Sequence, residues 1–210
     1  MSEVGDEMYF RAAIFAAVFS FQAQNLEAQT YLTGGAASFS FDGAQVNVSV
    51  DLSGAENVAE KFANLTPSCD PFCIAQEQVA EGIETVAEPR VLDFLVNSVG
   101  QNTGLLVDAR APAARAKGFI PGSVSLPHGS VADDSEIRDQ IFKALGARAF
   151  EDLYNFSDAR RLMVYDNGPS QSDAGHLITH LLEAGYPAEK LSYYRGGMQV
   201  WSMLSLTVQE

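Results

Sequence analysis

The feature that most limits how this chain can fold is the alternation of short apolar runs with helical patterns from about residue 80 onward. The apolar runs have the length of buried strands and lie at 83–86, 104–108, 123–126, 162–165 and 191–194. Helical patterns lie at 134–145, 172–184 and from 197 through 201. Unbroken apolar strands that alternate with helices predict an α/β fold, in which helices cover both faces of a parallel sheet.

This fold class also predicts where chemistry would take place. In open parallel sheets, ligands bind beyond the carboxyl ends of the strands. A polar loop, residues 166–172, follows the predicted strand at 162–165 and precedes the helix at 172–184. We therefore take this loop as the candidate functional site.

A smaller module precedes the sheet and is predicted to span residues 29–79. Residues 37–41 and 45–50 alternate apolar and polar side chains around Asp42-Gly43, which predicts a β-hairpin with a tight turn. Ser53 and Glu56 have the spacing of a capping box and predict a helix from that point. A hairpin and one helix form too small a unit to fold well alone.

The chain has two cysteines, Cys69 and Cys73, four residues apart around Pro71. They can form a disulfide if the segment is a turn or an irregular helix, because the two Cβ atoms must approach to about 4 Å. A thiol-redox or sulfur-carrying pair is the alternative. A closed zinc site needs four ligands, and two thiolates supply half of them.

The first 28 residues predict a removable signal peptide and hence a periplasmic or secreted protein. Residues 12–21 form an uncharged run that is too short to span a bilayer, with Arg11 before it and Ala23 and Ala28 as possible cleavage points. The start is acidic where a signal peptide should be basic, and a chain beginning at Met8 would remove that conflict. The alternative is a buried or interfacial amino-terminal helix.

The charge of the chain excludes several partners. Lys and Arg number 13 against 27 Asp and Glu, for a formal net charge of −14. A nucleic-acid binder needs a basic surface, so we expect no nucleic-acid partner. We also expect no stable membrane insertion after removal of the leader. The sequence has no nucleotide-binding glycine loop, and we predict no cofactor.

Four sequence blocks together resemble a rhodanese domain over roughly residues 80–207. They are Asp108-Ala-Arg110, the segment 118–127 (Gly-Phe-Ile-Pro-Gly-Ser-Val-Ser-Leu-Pro), the strand, loop and helix at 162–184, and 195–201 (Arg-Gly-Gly-Met-Gln-Val-Trp). The front part is similar to a periplasmic rhodanese subgroup whose amino-terminal module ends in Cys-Pro-Pro-Phe-Cys-Ile. Here the matching residues, 69–74, read Cys-Asp-Pro-Phe-Cys-Ile. The resemblance implies a rhodanese-like domain over residues 80–210.

The resemblance also implies what the loop has lost. In active rhodaneses a cysteine at the end of the strand matching 162–165 carries sulfur as a persulfide, and loop N–H groups stabilise its charge. The matching residue here is Asp166, so we predict no catalytic residue. The degenerate loop consists of Asp166, Asn167, Gly168, Pro169, Ser170, Gln171 and Ser172, and holds neither Cys nor Arg.

A carboxylate at this position has two possible arrangements. It can accept the N–H hydrogen bonds that a persulfide would receive and so fill the anion site permanently. Alternatively, Asp166 points to solvent in a loop that has drifted. Ser172 is expected to cap the following helix.

Two functions from different classes follow. The first is a non-catalytic binding or accessory module in the periplasm, with a protein or small-molecule partner that the sequence does not name. The second is a sulfurtransferase or thiol-redox protein that uses Cys69 and Cys73 in place of the lost loop cysteine.

His176 and His180 lie four residues apart on the face opposite the apolar side chains of the helix, and we predict no metal site there.

Overall fold

A computed structural model of the protein describes residues 36–51, 74, 76–133, 135–150 and 153–210. The predicted leader, the predicted helix that begins near Ser53, and both cysteines, Cys69 and Cys73, lie outside the described residues.

The center of the fold is a parallel sheet of five strands. Their bounds are β3 Glu84–Val86, β4 Gly104–Asp108, β5 Ser123–Ser125, β8 Arg161–Tyr165 and β9 Leu191–Tyr194. The order across the sheet is β3-β9-β8-β4-β5, and every neighbouring pair is parallel. The predicted α/β class with a parallel sheet is confirmed, and all five predicted strands are present.

Helices flank this sheet. They are α1 Glu88–Phe94, α2 Pro112–Arg115, α3 Arg138–Ala144, α4 Asp173–Glu183 and α5 Gly197–Met203. A π-helical turn, Leu95–Val99, extends α1, and 3₁₀ turns form at His128–Val131 and Ala188–Lys190. Pro89 lies in the first turn of α1, where its missing N–H costs nothing. Among the described helices, none combines the length and the apolar content needed to cross a membrane.

Each face of the sheet has its own apolar core, because side chains alternate along a strand. On β8, Leu162 and Val164 pack on one face with α3 and α4, while Met163 and Tyr165 pack on the other with α1 and α5. Trp201 of α5 is fully buried in the second core. Helices α3 and α4 therefore cover one face of the sheet, and α1 and α5 cover the other.

Two short antiparallel hairpins complete the described structure. The first pairs β1 Ala37–Phe41 with β2 Ala44–Val48, and its turn residues Asp42 and Gly43 both have positive φ, as predicted for an Asp-Gly turn. Phe39 of this hairpin packs into the same core as Trp201. The second pairs β6 Arg148–Phe150 with β7 Leu153–Asn155 and was not predicted.

One helix is shorter than its sequence pattern indicates. The pattern predicts a helix over 134–145, whereas α3 begins at Arg138. Ser135 instead donates its hydroxyl to the carbonyl of Ser130, and the Arg138 guanidinium pairs with Asp133 at 2.6 Å. These bonds hold the chain before α3 in a turn, and turn formation competes with an earlier helix start.

Candidate functional site

The loop 166–172 lies where parallel strands end together. Asp108 ends β4 and stands in register with Tyr165, the last residue of the neighbouring strand β8. Asp166 follows Tyr165 directly, and α4 begins at Asp173. The loop predicted from the sequence therefore occupies the carboxyl edge of the sheet, the edge at which folds of this class bind ligands.

The side chain of Asp166 points into the loop and has no exposed surface. Its Oδ1 accepts a hydrogen bond from the Gly168 N–H at 2.9 Å, and its Oδ2 accepts one from the Ala174 N–H at 3.0 Å. Ala174 lies in the first turn of α4, where N–H groups have no partner within the helix. The carboxylate thus takes up two amide donors that the loop would otherwise offer to an anion.

Burial raises the pKa of Asp166 from its ordinary value of 3.8 to about 6. The hydrogen bonds from Ala174 and Gly168 oppose this rise, as does the charge of Arg110, while the charge of Asp173 adds to it. Loss of hydration therefore outweighs the two amide bonds. At pH 7 the group is still predominantly ionised, so the loop contains a fixed negative charge.

The loop backbone is bonded to the start of α5. The carbonyl of Asp166 accepts the Met198 N–H at 3.0 Å, and that of Asn167 accepts the Gln199 N–H at 2.9 Å. Gly197 has a φ of +55°, and a Cβ there would lie 2.5 Å from the Asp166 carbonyl oxygen and 2.6 Å from the Gly168 nitrogen. Glycine at 197 is thus required for the helix to approach the loop this closely.

A buried ionic network supports the other side of the loop. Arg110 donates to both carboxylate oxygens of Asp108, at 2.8 and 2.7 Å, and to Asn167 Oδ1 at 3.2 Å. Arg115 donates to Asp108 Oδ2 at 3.0 Å, and the hydroxyl of Tyr165 does so at the same distance. The loop residue Asn167 is therefore anchored to the strand end of β4 through Arg110.

Asp108 and Arg110 were indicated by the family resemblance, whereas Arg115 and Tyr165 were not predicted. Burial and the charge of Asp108 raise the pKa of Tyr165, so its hydroxyl remains a proton donor. The Arg115 side chain also bonds to Ser123 and stacks 3.8 Å above the Phe119 ring. These contacts join β4, β5 and β8 at the site, and they depend on sheet order rather than on local sequence.

The remaining loop residues form the turn into α4. The Gln171 N–H bonds to the Gly168 carbonyl at 3.0 Å, which closes the turn around Pro169 and Ser170. Ser172 occupies the N-cap position of α4, as predicted, but its side chain makes no capping hydrogen bond. The Asp166 carboxylate accepts the Ala174 N–H instead.

The histidines of α4 have a neighbour that the sequence did not indicate. His176 is exposed and His180 is half-buried, and His128 of the 3₁₀ turn after β5 lies beside both. Within the part of the chain that the structure describes, no three His, Cys, Asp or Glu side chains converge as a preformed metal site.

This architecture corresponds to a known domain family. The model of the rhodanese-like domain family matches residues 92–204, more than half of the chain. No curated protein matches the chain.

Several solved structures are similar to it at low identity. A rhodanese-related protein from Thermoplasma volcanium is 13% identical, with a TM-score of 0.40 over 60% of this chain and 97% of that one. A protein of unknown function from Rhodopseudomonas palustris, described as a possible tyrosine phosphatase, is 18% identical, with a TM-score of 0.44 over 62% and 88%. A human single-domain sulfurtransferase is 21% identical, with a TM-score of 0.39 over 56% and 94%.

The family match extends from α1 to the end of α5 and so includes β4, β8, the loop and the helices that hold it. On that match, the chain belongs to the rhodanese-like domain family.

Proposed function

We propose that this protein is a catalytically degenerate rhodanese-like protein that acts as a binding or accessory module. The main support for the proposal is the environment of Asp166. Its side chain is fully buried and accepts hydrogen bonds from the N–H groups of Gly168 and Ala174. By the family resemblance, this is the position of the sulfur-carrying cysteine. The loop therefore offers a bound carboxylate where an active relative offers a thiolate.

The chemistry of a carboxylate argues against sulfur transfer at this position. A persulfide needs a sulfur nucleophile, and an aspartate can form no persulfide. The negative charge of Asp166 also disfavours the approach of an anionic donor such as thiosulfate. The loop itself contains no arginine or lysine to offset that charge.

The test is transfer of sulfur from thiosulfate to cyanide. We expect no turnover by the wild-type chain or by the Cys69→Ser and Cys73→Ser variants. Asp166→Cys serves as the matched variant, since it places a thiol where the two amide donors can stabilise a thiolate, and cyanide-labile sulfur on it is expected. Turnover by the wild type that is lost in either Cys→Ser variant would establish the alternative, a sulfurtransferase or thiol-redox protein using those cysteines.

Removal of the Asp166 carboxylate should free the amide donors for an external anion. We expect crystals of Asp166→Ala grown in sulfate to contain an anion within hydrogen-bond distance of the Gly168 and Ala174 nitrogens. Wild-type crystals grown in the same solution are the control and should show none there. An empty loop in the variant would contradict the idea that Asp166 fills an anion site.

We further propose that the protein works in the periplasm or outside the cell, with residues 1–28 removed as a leader. The support is the uncharged run 12–21 with Arg11 before it. Amino-terminal sequencing of the exported protein tests this, and recovery of an intact Met1 would contradict it.

A further inference from the structure

All three histidines of the chain meet at the rim of the candidate site. His128 begins the 3₁₀ turn that follows β5, and His176 and His180 lie one turn apart on α4, which packs against that turn. The ring centers of His128 and His176 are 5.3 Å apart, and those of His128 and His180 are 6.4 Å apart. We propose that these three imidazoles bind a divalent transition-metal ion of the Zn²⁺ or Cu²⁺ class.

The separation of His128 and His176 fits a shared ion. Two imidazoles bound to one tetrahedral metal, each with a metal–nitrogen distance of about 2.1 Å, have ring centers about 5 Å apart. Both rings are open to solvent, since the His128 side chain is 42% exposed and His176 is exposed as well. An ion can therefore reach the pair without any rearrangement of the backbone.

His180 is the third candidate ligand, and its hydrogen bond to the backbone sets which ring nitrogen is available. Its Nδ1 lies 3.1 Å from the carbonyl oxygen of His128. A carbonyl can only accept a hydrogen bond, so Nδ1 carries the proton and the neutral ring has its lone pair on Nε2. A metal-binding histidine is commonly held in this way: one ring nitrogen binds the metal, and the N–H of the other donates to a backbone carbonyl.

Closure of the site requires a side-chain movement. No three ligand groups among the described residues converge on one point in the present rotamers. The ring of His180 must move about 1 Å toward His128 to reach the spacing of two ligands on one ion. The Asp173 carboxylate, 3.8 Å from His128 Nε2, places a negative charge beside the ion.

The proposed site has three protein ligands, which leaves one tetrahedral position for water or an incoming group. Because α4 begins directly after the loop, that position lies at the rim of the degenerate site. Imidazole ligands prefer borderline metals, whereas Ca²⁺ and Mg²⁺ prefer oxygen. Ion preference therefore separates this site from diffuse attraction of cations to a chain of net charge −14.

The test is calorimetric titration of the full chain, without a polyhistidine tag, with ZnCl₂, CuCl₂ and CaCl₂ at pH 7.5. We expect one saturable Zn²⁺ site, tighter Cu²⁺ binding and no saturable Ca²⁺ binding. His128→Ala and His176→Ala should each weaken Zn²⁺ binding by about tenfold or more. Glu183→Gln removes one exposed charge from the same helix and should leave the Zn²⁺ affinity unchanged.

Three results would overturn the proposal. They are absence of saturable Zn²⁺ binding up to millimolar metal, equal Zn²⁺ affinity in the wild type and the two histidine variants, and loss of binding in Cys69→Ser or Cys73→Ser instead. Electron paramagnetic resonance of the Cu²⁺ complex gives an independent readout, because splitting by imidazole nitrogens is expected for the wild type and should diminish in His176→Ala.

Discussion

Two buried carboxylates lie at the same edge of the sheet and are stabilised in different ways. Asp108 receives the charged side chains of Arg110 and Arg115, so its negative charge is paired within hydrogen-bond distance. Asp166, one strand away, receives two backbone N–H groups. Neutral amide donors offset less of the desolvation of a buried charge than two guanidinium groups do. The negative charge of Asp108 is therefore compensated more completely than that of Asp166.

This difference predicts a pH-dependent stability that belongs to Asp166. Its pKa is 3.8 ordinarily and about 6 in the folded chain, so the folded state holds the proton more tightly than the unfolded state. Its contribution to stability is therefore fully present below about pH 4 and is lost as the pH rises through about 6. A rise of this size corresponds to about 3 kcal/mol in the free energy of unfolding.

Asp166→Asn cannot titrate and should lack this loss. Urea denaturation at pH 4, 5, 6 and 7 should show the free energy of unfolding of the variant rising by about 2 kcal/mol relative to that of the wild type, because part of the loss has already occurred at pH 4. Asp93→Asn, at a partly exposed carboxylate on α1, is the control and should run parallel to the wild type. Parallel curves for Asp166→Asn as well would mean that Asp166 titrates normally in the folded protein.

At the scale of elements, the close contact between the loop and α5 depends on one glycine. A methyl group on residue 197 would lie within 2.6 Å of two backbone atoms. Backbone atoms cannot move aside as the end of a flexible side chain can. The positive φ of Gly197 adds a conformational penalty for any other residue. The loop conformation and the start of α5 are therefore determined together.

Gly197→Ala should destabilise the protein by about 2–4 kcal/mol, from backbone crowding and the unfavourable φ together. Gly129→Ala is the matched control, since a Cβ there meets nothing within 4 Å, and its unfolding free energy should stay within about 0.5 kcal/mol of the wild type. Chemical denaturation of both variants measures the difference. An equal, small effect for both would contradict the crowding at Gly197.

The first hairpin is joined to the parallel sheet through Phe39. The Phe39 side chain lies against two glycines: a Cβ on Gly122 would come within 2.6 Å of the Phe39 ring, and one on Gly100 within 3.0 Å of the Phe39 Cβ. Phe39 is 4% exposed and belongs to the core that contains Trp201. A hairpin that the sequence pattern marks as a separate module thus contributes to the core of the sheet.

Phe39→Ala should therefore cost about 3–5 kcal/mol and lower the stability of the whole domain in one transition. Ser40→Ala, on the exposed face of the same strand, should change the free energy of unfolding by less than about 0.5 kcal/mol. Thermal unfolding followed by circular dichroism measures both variants. A Phe39→Ala variant with an unchanged melting temperature would show that the hairpin is dispensable to the core.

Local sequence patterns predicted the strands and helices, whereas the contacts that were not predicted are long-range ones. The five apolar runs indicated the strands because a buried strand is apolar along its length. The loop after Tyr165 was predicted as the candidate site because ligands bind beyond the carboxyl ends of parallel strands. The pairing of Arg115 with Asp108, and the approach of His128 to His176, depend on strand order and helix packing, which no local pattern contains. The β6–β7 hairpin was missed because its strands are three residues each and mostly exposed.

At the scale of the whole molecule, the net charge of −14 opposes compaction. The exposed ion pairs, such as Arg90 with Glu84, contribute little to stability. The pair of Asp108 with Arg110 is buried and its pair with Arg115 is partly buried, so both are screened by salt less than exposed pairs are. Added salt should therefore reduce the repulsion between like surface charges more than it weakens the attractions that hold the fold.

Stability should accordingly rise with ionic strength. Between 10 and 300 mM NaCl the screening length falls from about 30 Å to below 8 Å, so charges on opposite sides of the domain cease to interact. A gain of about 1 kcal/mol would raise the melting temperature by about 2–4 °C for a chain of this size. KCl at the same concentrations should give the same shift, since screening depends on ionic strength and not on the cation. A melting temperature that falls with salt would mean that the exposed ion pairs, rather than repulsion among the excess carboxylates, dominate the surface electrostatics.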